Sequence, residues 1–141
     1  MTLATRSLRL AANTECLRAA MEFVRTGALE AGLPETRIGV LDLLIEEVFM
    51  NVCRHAYPDG TQGGVTLTYS VPAPGELSVE VADQGTEFNP LTAVPPDLTL
   101  DLESRPIGGL GIVLVKTLAS SITYRRDRDW NRLTFGISAN S

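Results

Sequence analysis

The segment that decides the fold spans residues 46–60 and reads EEVFMNVCRHAYPDG. Residues three or four apart share one face of a helix, and apolar residues recur at that spacing from upstream into this segment. The stripe consists of Leu41, Leu44, Ile45, Val48 and Val52. A long amphipathic helix is therefore predicted here, and the letters YPDG end it as a turn.

The two adjacent glutamates in this segment fall on different faces of the predicted helix. Glu46 lies four residues after Asp42, and this acidic line is typical of a solvated face. On the helix face that carries Glu47, the residues three, four and seven positions upstream are apolar, whereas the residue four positions downstream is Asn51. This face therefore changes from apolar to polar at Glu47. Burying a charge is costly, so the carboxylate needs a ligand, a cation or a water-filled cleft. A boundary glutamate that reaches solvent or pairs with Arg54 fits this helix equally well.

Two elements precede this helix. The letters LATRSLRLAA alternate loosely and predict an edge strand. A first helix, capped by Asn13 or Thr14, should end at Gly32. The second helix should then run from Pro34 to about His55 or two residues beyond it.

The elements after this helix are mostly strands. VTLTYSV and ELSVEVAD flank PAPG and predict a strand pair, while SITYRR and NRLTFGIS flank DRDW and predict another. Between the pairs lie a proline-rich loop over 84–108 and a third predicted helix, GLGIVLVKTLA. This order predicts an α+β fold, a two-layer sandwich with helices packed on one face of a mixed, mostly antiparallel sheet. The length of 141 residues suggests one domain over 1–141.

The composition excludes some classes of function. The net charge of −5 opposes direct binding to nucleic acid, which usually requires a basic face. No apolar run is long enough to cross a bilayer, and the N-terminus lacks the apolar core of a signal peptide. We therefore expect a cytoplasmic protein with no membrane contact.

A second candidate site residue ends the strand ELSVEVAD. Asp83 shares the parity of Leu77, Val79 and Val81, so it should continue the row of side chains that faces the core. A carboxylate there should accept a hydrogen bond from a buried donor, and Gly85 permits close approach by a ligand. An ordinary turn is the alternative, because Asp and Gly are common turn residues.

Three glycines open the third predicted helix within GGLGIVLVK: Gly108, Gly109 and Gly111. Free N–H groups and the helix dipole make such an end a phosphate site. The spacing fits neither a dinucleotide fingerprint nor a P-loop, and a flexible hinge or tight helix packing is the alternative.

Together, in this order, the three segments resemble the N box, the first glycine box and the second glycine box of the GHKL ATPase superfamily. The form of NVCRHAYPDG and of WNRLTF is most similar to anti-sigma-factor serine kinases of the RsbW and SpoIIAB type. The resemblance covers about residues 13–138.

The resemblance implies roles for residues of the N box. Glu47, four residues before the conserved asparagine of the motif, would be the general base. Asn51 would bind Mg²⁺, which holds the phosphates of ATP. Arg54 and His55 follow where polar groups of the family lie near the nucleotide.

The resemblance also implies roles for the two glycine boxes and the closing strand. Asp83 would accept a hydrogen bond from the adenine amino group, and Gly85 would let the base approach. Asn131 would lie near the base. The phosphate end of an ATP lid over 91–107 would involve Gly109, Leu110 and Gly111. From its position just before these glycines, Arg105 could reach the γ-phosphate, and a solvated lid arginine is the alternative.

Three features depart from the family pattern. Glu87 replaces a second glycine, Trp130 and Asn131 stand where Gly-Thr is common, and the lid is rich in proline. These departures bear on lid mobility and on the contact of Asn131 with the base.

The function implied is that of an ATP-dependent protein serine/threonine kinase. It would act as an anti-sigma factor that phosphorylates a STAS-domain anti-anti-sigma protein, sequesters a sigma factor or another regulator, and forms a homodimer. The alternative is an ATP-gated binding module with little or no phosphoryl transfer. A sensor histidine kinase is disfavoured because no phosphoacceptor helices precede the domain, and a gyrase-like ATPase would need a longer chain.

Overall fold

The computed structural model describes residues 2–58, 63–92 and 115–140. Its long helices are α1 (Leu17–Ala31) and α2 (Glu35–His55), and its strands are β1 (Ala4–Ala11), β2 (Gly64–Ala73), β3 (Glu76–Asp83), β4 (Ser121–Asp127) and β5 (Trp130–Ser138). The strands form one sheet in the order β1-β2-β3-β5-β4. All the strand pairs described are antiparallel, and β1 lies at an edge as predicted.

The core lies between the two helices and one face of the sheet, which confirms the predicted two-layer α+β sandwich. The predicted apolar stripe of α2 is buried, and alternate residues of β2, β3 and β5 meet it. The sheet contributes Val65, Leu67, Tyr69, Val71, Leu77, Val79, Val81, Leu133, Phe135 and Ile137 to this core. Intervening β2 residues such as Thr66 and Thr68 are half-buried on the other face. This alternation is what places Asp83, at the end of the β3 row, on the core side.

The helix ends follow from specific residues. The Asn13 side chain accepts a hydrogen bond from the Cys16 amide and caps a short 3₁₀ turn that leads into α1. Gly32 ends α1 with φ of 77°, a left-handed conformation that favours glycine. Pro34 is the N-cap of α2, so this helix begins one residue later than predicted.

The part of the chain after Asp83 is only partly described. Residues 90–92 form a short 3₁₀ turn, and residues 115–118 are helical, at the end of the third predicted helix. The remainder of that helix, most of the predicted lid and the glycines at 108, 109 and 111 lie outside the described residues. Within the described ranges, no helix has the length and apolar character needed to cross a membrane.

Candidate functional site

A cleft opens between the C-terminal half of α2 and the ends of β3 and β5. The loop after β3 and the Tyr124 side chain of β4 complete it. The lining residues are Val48, Asn51, Val52, His55, Ala56, Val81, Asp83, Phe88, Pro90, Tyr124, Asn131 and Leu133. The structure therefore brings four predicted site residues together, from segments as far apart in sequence as residues 51 and 131.

The polar residues of this cleft are the unusual feature of the core. Among the described residues, the buried polar or charged ones are Asn51, Asp83 and Asn131, each no more than 6% exposed. All three line the cleft. Buried polar groups lower stability unless they are hydrogen-bonded, so their convergence in one apolar cleft is typical of a binding site.

Asp83 and Asn131 lie directly opposite each other on β3 and β5. Asp83 Oδ1 accepts hydrogen bonds from Asn131 Nδ2 at 2.9 Å and from the Gly85 amide at 2.9 Å. The prediction that Asp83 faces the core and accepts from a buried donor is confirmed. The donor is a cross-strand partner, which the sequence did not identify.

The Asn131 side chain is already bonded at both ends. Its Nδ2 also donates to the Thr86 carbonyl at 2.8 Å, and its Oδ1 accepts from the Tyr124 hydroxyl at 2.6 Å. Arg126 Nη1 donates to the same Oδ1 at 3.2 Å, as does the Phe88 amide at 3.3 Å. Asn131 thus orients Asp83 and the loop after β3, whereas the sequence suggested only a contact with the base.

Gly85 allows a close approach between two backbone segments. A Cβ at this position would overlap with the Ala56 carbonyl at the C-terminal end of α2. The same carbonyl accepts a hydrogen bond from the Thr86 amide at 2.7 Å. The observed reason for a glycine is therefore contact with α2, while its predicted approach to a bound base stays a prediction.

Glu47 lies one helical turn before Asn51 on α2. Its Oε1 is buried and has no hydrogen-bond partner among the described residues. Arg54 Nη1 lies 3.9 Å from that oxygen, which is too far for a hydrogen bond. Burial raises the pKa of Glu47, the Arg54 charge opposes the rise, and Glu46 adds to it. Glu46 itself is exposed, so the predicted difference between the two glutamates is confirmed.

Asn51 also has a buried atom without a partner in the described parts of the chain, its Nδ2. The only other such atom there is Arg37 Nη2, which belongs to a side chain that bonds to Ser138, outside the cleft. An amide can present either its oxygen or its nitrogen after a half-turn about its last torsion. A buried amide and, one turn away, a half-buried carboxylate with one buried oxygen both have unused hydrogen-bonding capacity toward the described residues, which indicates a place for a polar ligand.

These donors fit a magnesium ion that arrives with phosphates. Mg²⁺ prefers oxygen ligands and is usually held by one or two protein groups together with substrate phosphates and water. The Asn51 carbonyl is a ligand of that type. In the described residues, His, Cys, Asp and Glu form no group of three or more that could hold a metal ion. The arrangement therefore suits a shared Mg²⁺ rather than a metal held by protein alone.

Aromatic side chains form the outer wall of the cleft. The His55 ring stacks on Phe88, with ring centroids 4.4 Å apart and planes inclined by 24°. Partial desolvation, together with the nearby Arg54 charge, lowers the pKa of His55. Sequence reasoning missed Phe88 and Tyr124, because single aromatic residues in a loop and an edge strand carry no periodic signal.

The predicted site residues differ in how the structure places them. Asn51, His55, Asp83 and Asn131 line the cleft, while Glu47 and Arg54 lie beside it on α2. Four further predicted residues lie outside the described residues: Arg105, Gly109, Leu110 and Gly111.

Comparison with known proteins identifies the family of this chain. Residues 10–137 match the family model described as the histidine kinase-like ATPase domain. The chain is 31% identical over 94 residues to the serine/threonine-protein kinase BtrW of Bordetella bronchiseptica, covering 67% of this chain and 66% of that protein. It is 32% identical over 117 residues to the serine-protein kinase RsbW of Listeria monocytogenes, covering 75% of this chain and 74% of that protein.

Solved structures show the same fold. A Mycobacterium tuberculosis protein with RsbU and RsbW domains matches 96% of this chain with a TM-score of 0.67 and 15% identity, and this chain spans 32% of that one. The histidine kinase domain of a blue-light activated histidine kinase from Erythrobacter litoralis matches 74% of this chain, and 45% of its own, with a TM-score of 0.52 and 24% identity. The resemblance seen in the three sequence motifs is confirmed, and the chain belongs to the family of histidine kinase-like ATPase domains.

Proposed function

We propose that this chain is an ATP-dependent protein serine/threonine kinase whose substrate is a hydroxyl group on a small STAS-domain partner. The observation that carries the proposal is Glu47, a carboxylate with a raised pKa and a buried oxygen that accepts no hydrogen bond from any described residue. It lies one helical turn from Asn51, which lines the cleft. The names of the relatives, which are serine or serine/threonine kinases, support the same class of reaction.

The adenine end of the nucleotide occupies the cleft beside Asp83 in this proposal. Asp83 Oδ1 is engaged by protein donors, which leaves Oδ2 to accept from the exocyclic amine of the base. The apolar lining, including Val81 and Leu133, covers the faces of the ring. A buried acceptor in an apolar cleft excludes ligands that lack a matching donor.

The phosphate end lies toward Glu47 and Asn51. Asn51 would hold a Mg²⁺ ion through its amide oxygen, and the ion would supply positive charge to neutralise the phosphates. Glu47 accepts the proton of the incoming hydroxyl. A carboxylate whose pKa is raised by burial is a stronger base than an exposed one.

The partners follow from the family resemblance. The chain phosphorylates an anti-anti-sigma protein of the STAS class, and it binds a sigma factor or another regulator in a partner-switching system. We place it in the cytoplasm, as one domain over 1–141 and as a homodimer, with the lid over 91–107 closing on ATP.

An ATP-gated binding module with little or no transfer is the second candidate. The observation that favours it is the ion pair between Glu47 and Arg54, since the guanidinium charge lowers the basicity of the carboxylate. In that case nucleotide would control partner binding without phosphorylation.

Transfer from γ-labelled ATP to recombinant STAS-domain proteins separates the two functions. We expect label on one such protein with the wild type, loss of label with Glu47→Ala, and nearly full label with Glu46→Ala. The adjacent Glu46 is a matched control because it is exposed on the same helix. Nucleotide affinity should be nearly unchanged in both variants.

Equal loss of transfer in the two variants would refute the role of Glu47. Nucleotide-dependent binding of a STAS-domain protein that never becomes labelled would establish the second candidate instead.

A further inference from the structure

The two oxygens of the Asp83 carboxylate are not equivalent. Oδ1 accepts from the Gly85 amide and from Asn131 Nδ2, both at 2.9 Å. A carboxylate oxygen has two lone-pair sites, so Oδ1 has no further capacity. Among the described residues none donates to Oδ2. Asp83 therefore offers the cleft one acceptor atom rather than two.

Asn131 is fixed in the orientation that fills Oδ1. Its two N–H groups point to Asp83 Oδ1 and to the Thr86 carbonyl. Its Oδ1 accepts from the Tyr124 hydroxyl at 2.6 Å and from Arg126 Nη1 at 3.2 Å. Turning the amide over would oppose donor to donor at Arg126 Nη1 and acceptor to acceptor at Asp83 Oδ1 and the Thr86 carbonyl. Asn131 thus always presents an N–H group to Asp83.

This asymmetry distinguishes purine bases by their donors. The Watson–Crick edge of adenine offers N–H donors only from its exocyclic amine, which one oxygen can accept. Guanine presents two adjacent donors, N1–H and N2–H, which pair with a carboxylate only when both of its oxygens are available. With one oxygen filled, the second guanine donor would be left unpaired in an apolar cleft.

We propose that Asn131 determines base specificity: by filling Asp83 Oδ1 it limits the carboxylate to a single donor and so selects adenine over guanine nucleotides. The inference rests on the proposed function, since it assumes that a nucleotide base enters this cleft. Asn131 acts through Asp83 and is a positioning residue.

Two pairs of variants isolate the hydrogen bond from packing. Threonine and valine have nearly the same shape, and both Asn131→Thr and Asn131→Val remove the amide oxygen that accepts from Tyr124. Only threonine keeps a hydrogen-bond donor, its hydroxyl, that can face Asp83. Asp83 and Asn131 are directly opposite across two antiparallel strands, so a hydroxyl at 131 can reach the carboxylate. Asn131→Ser and Asn131→Ala repeat the comparison with less bulk if the valine variant does not fold.

The measurement is competition against a fluorescent ADP by GDP and by inosine diphosphate. Hypoxanthine has the N1–H of guanine but lacks its 2-amino group, so the ratio of the two inhibition constants reports that one group. We expect GDP to compete no better than inosine diphosphate in the wild type and in Asn131→Thr. In Asn131→Val, GDP should compete about tenfold better, because Oδ1 then accepts only from the Gly85 amide and has one acceptor site free, beside Oδ2, for the second guanine donor.

The same ratio in the threonine and valine variants, or a tenfold advantage of GDP already in the wild type, would overturn the inference. Binding of fluorescent ADP by the wild type is read separately. Its absence would refute the nucleotide site itself, so the two failures can be told apart.

Discussion

Replacing Asp83 with asparagine should weaken adenine-nucleotide binding while leaving the fold intact. Oδ1 of Asp83 faces two protein donors, the Gly85 amide and Asn131 Nδ2. The new side chain must turn its carbonyl oxygen toward both of them. Its NH₂ group then takes the place of Oδ2 and meets the amine of the base, donor against donor.

The size of the effect follows from the bond that is lost. A hydrogen bond to a charged group contributes about 1.5–3 kcal/mol, which corresponds to an affinity roughly 10- to 150-fold weaker for ADP and ATP. The two protein hydrogen bonds persist, so the melting temperature without nucleotide should change little.

Titration calorimetry with ADP tests this prediction, and Asp127→Asn is the matched control. Asp127 carries the same group at the end of β4, where its Oδ2 accepts from Arg132 Nε at 3.3 Å, and it does not line the cleft. Unchanged affinity in Asp83→Asn, or an equal loss in both variants, would refute the placement of the base beside Asp83.

Three further predictions address other parts of the site. Gly85→Ala should lower the free energy of unfolding by about 2 kcal/mol or more, because a Cβ would overlap with the Ala56 carbonyl. The control Gly39→Ala, on an open face of α2, should raise it by about 0.5–1 kcal/mol in the same denaturant titration, and an equal response would contradict the close contact. Arg54→Gln should move the acid limb of the pH profile of phosphoryl transfer to higher pH. The Arg54 charge lowers the pKa of Glu47, and the carboxylate must be deprotonated to act as a base. An acid limb at the same pH in the variant would argue against Glu47 as the base. Hydrogen exchange in the predicted lid should slow more with a non-hydrolysable ATP analogue than with ADP, whereas equal protection in the apo, ADP and ATP states would contradict an ATP lid.

The sequence predicted the elements of the fold well because its periodicity is strong. The apolar stripe of α2 and the alternation in β2, β3 and β5 fixed both the type of each element and the buried face. The same periodicity placed Asp83 on the core side and separated Glu47 from Glu46. Side-chain orientation within an element is local information, and local information can be read from one sequence.

Contacts between distant elements were not predictable in this way. The bond between Asp83 and Asn131 depends on the register of β3 against β5. The two residues are 48 positions apart, and their pairing is defined only once the sheet has formed. The stacking of His55 on Phe88 depends on the path of a loop. Gly85 was recognised as a point of close approach, but the approaching group proved to be the carbonyl of Ala56.

The hydrogen bond between Asp83 and Asn131 links two interior strands of the sheet. The proposed base site is therefore built on rigid sheet residues, whereas the proposed phosphate site is not. In the proposed base site, an acceptor held by the sheet would need no ordering when a nucleotide arrives, so recognition of the base would cost little conformational entropy. Release of ADP and entry of ATP would then proceed without rebuilding that half of the site. The number of phosphates would be sensed by groups outside the sheet, so the response to each nucleotide could change while the base pocket stayed the same.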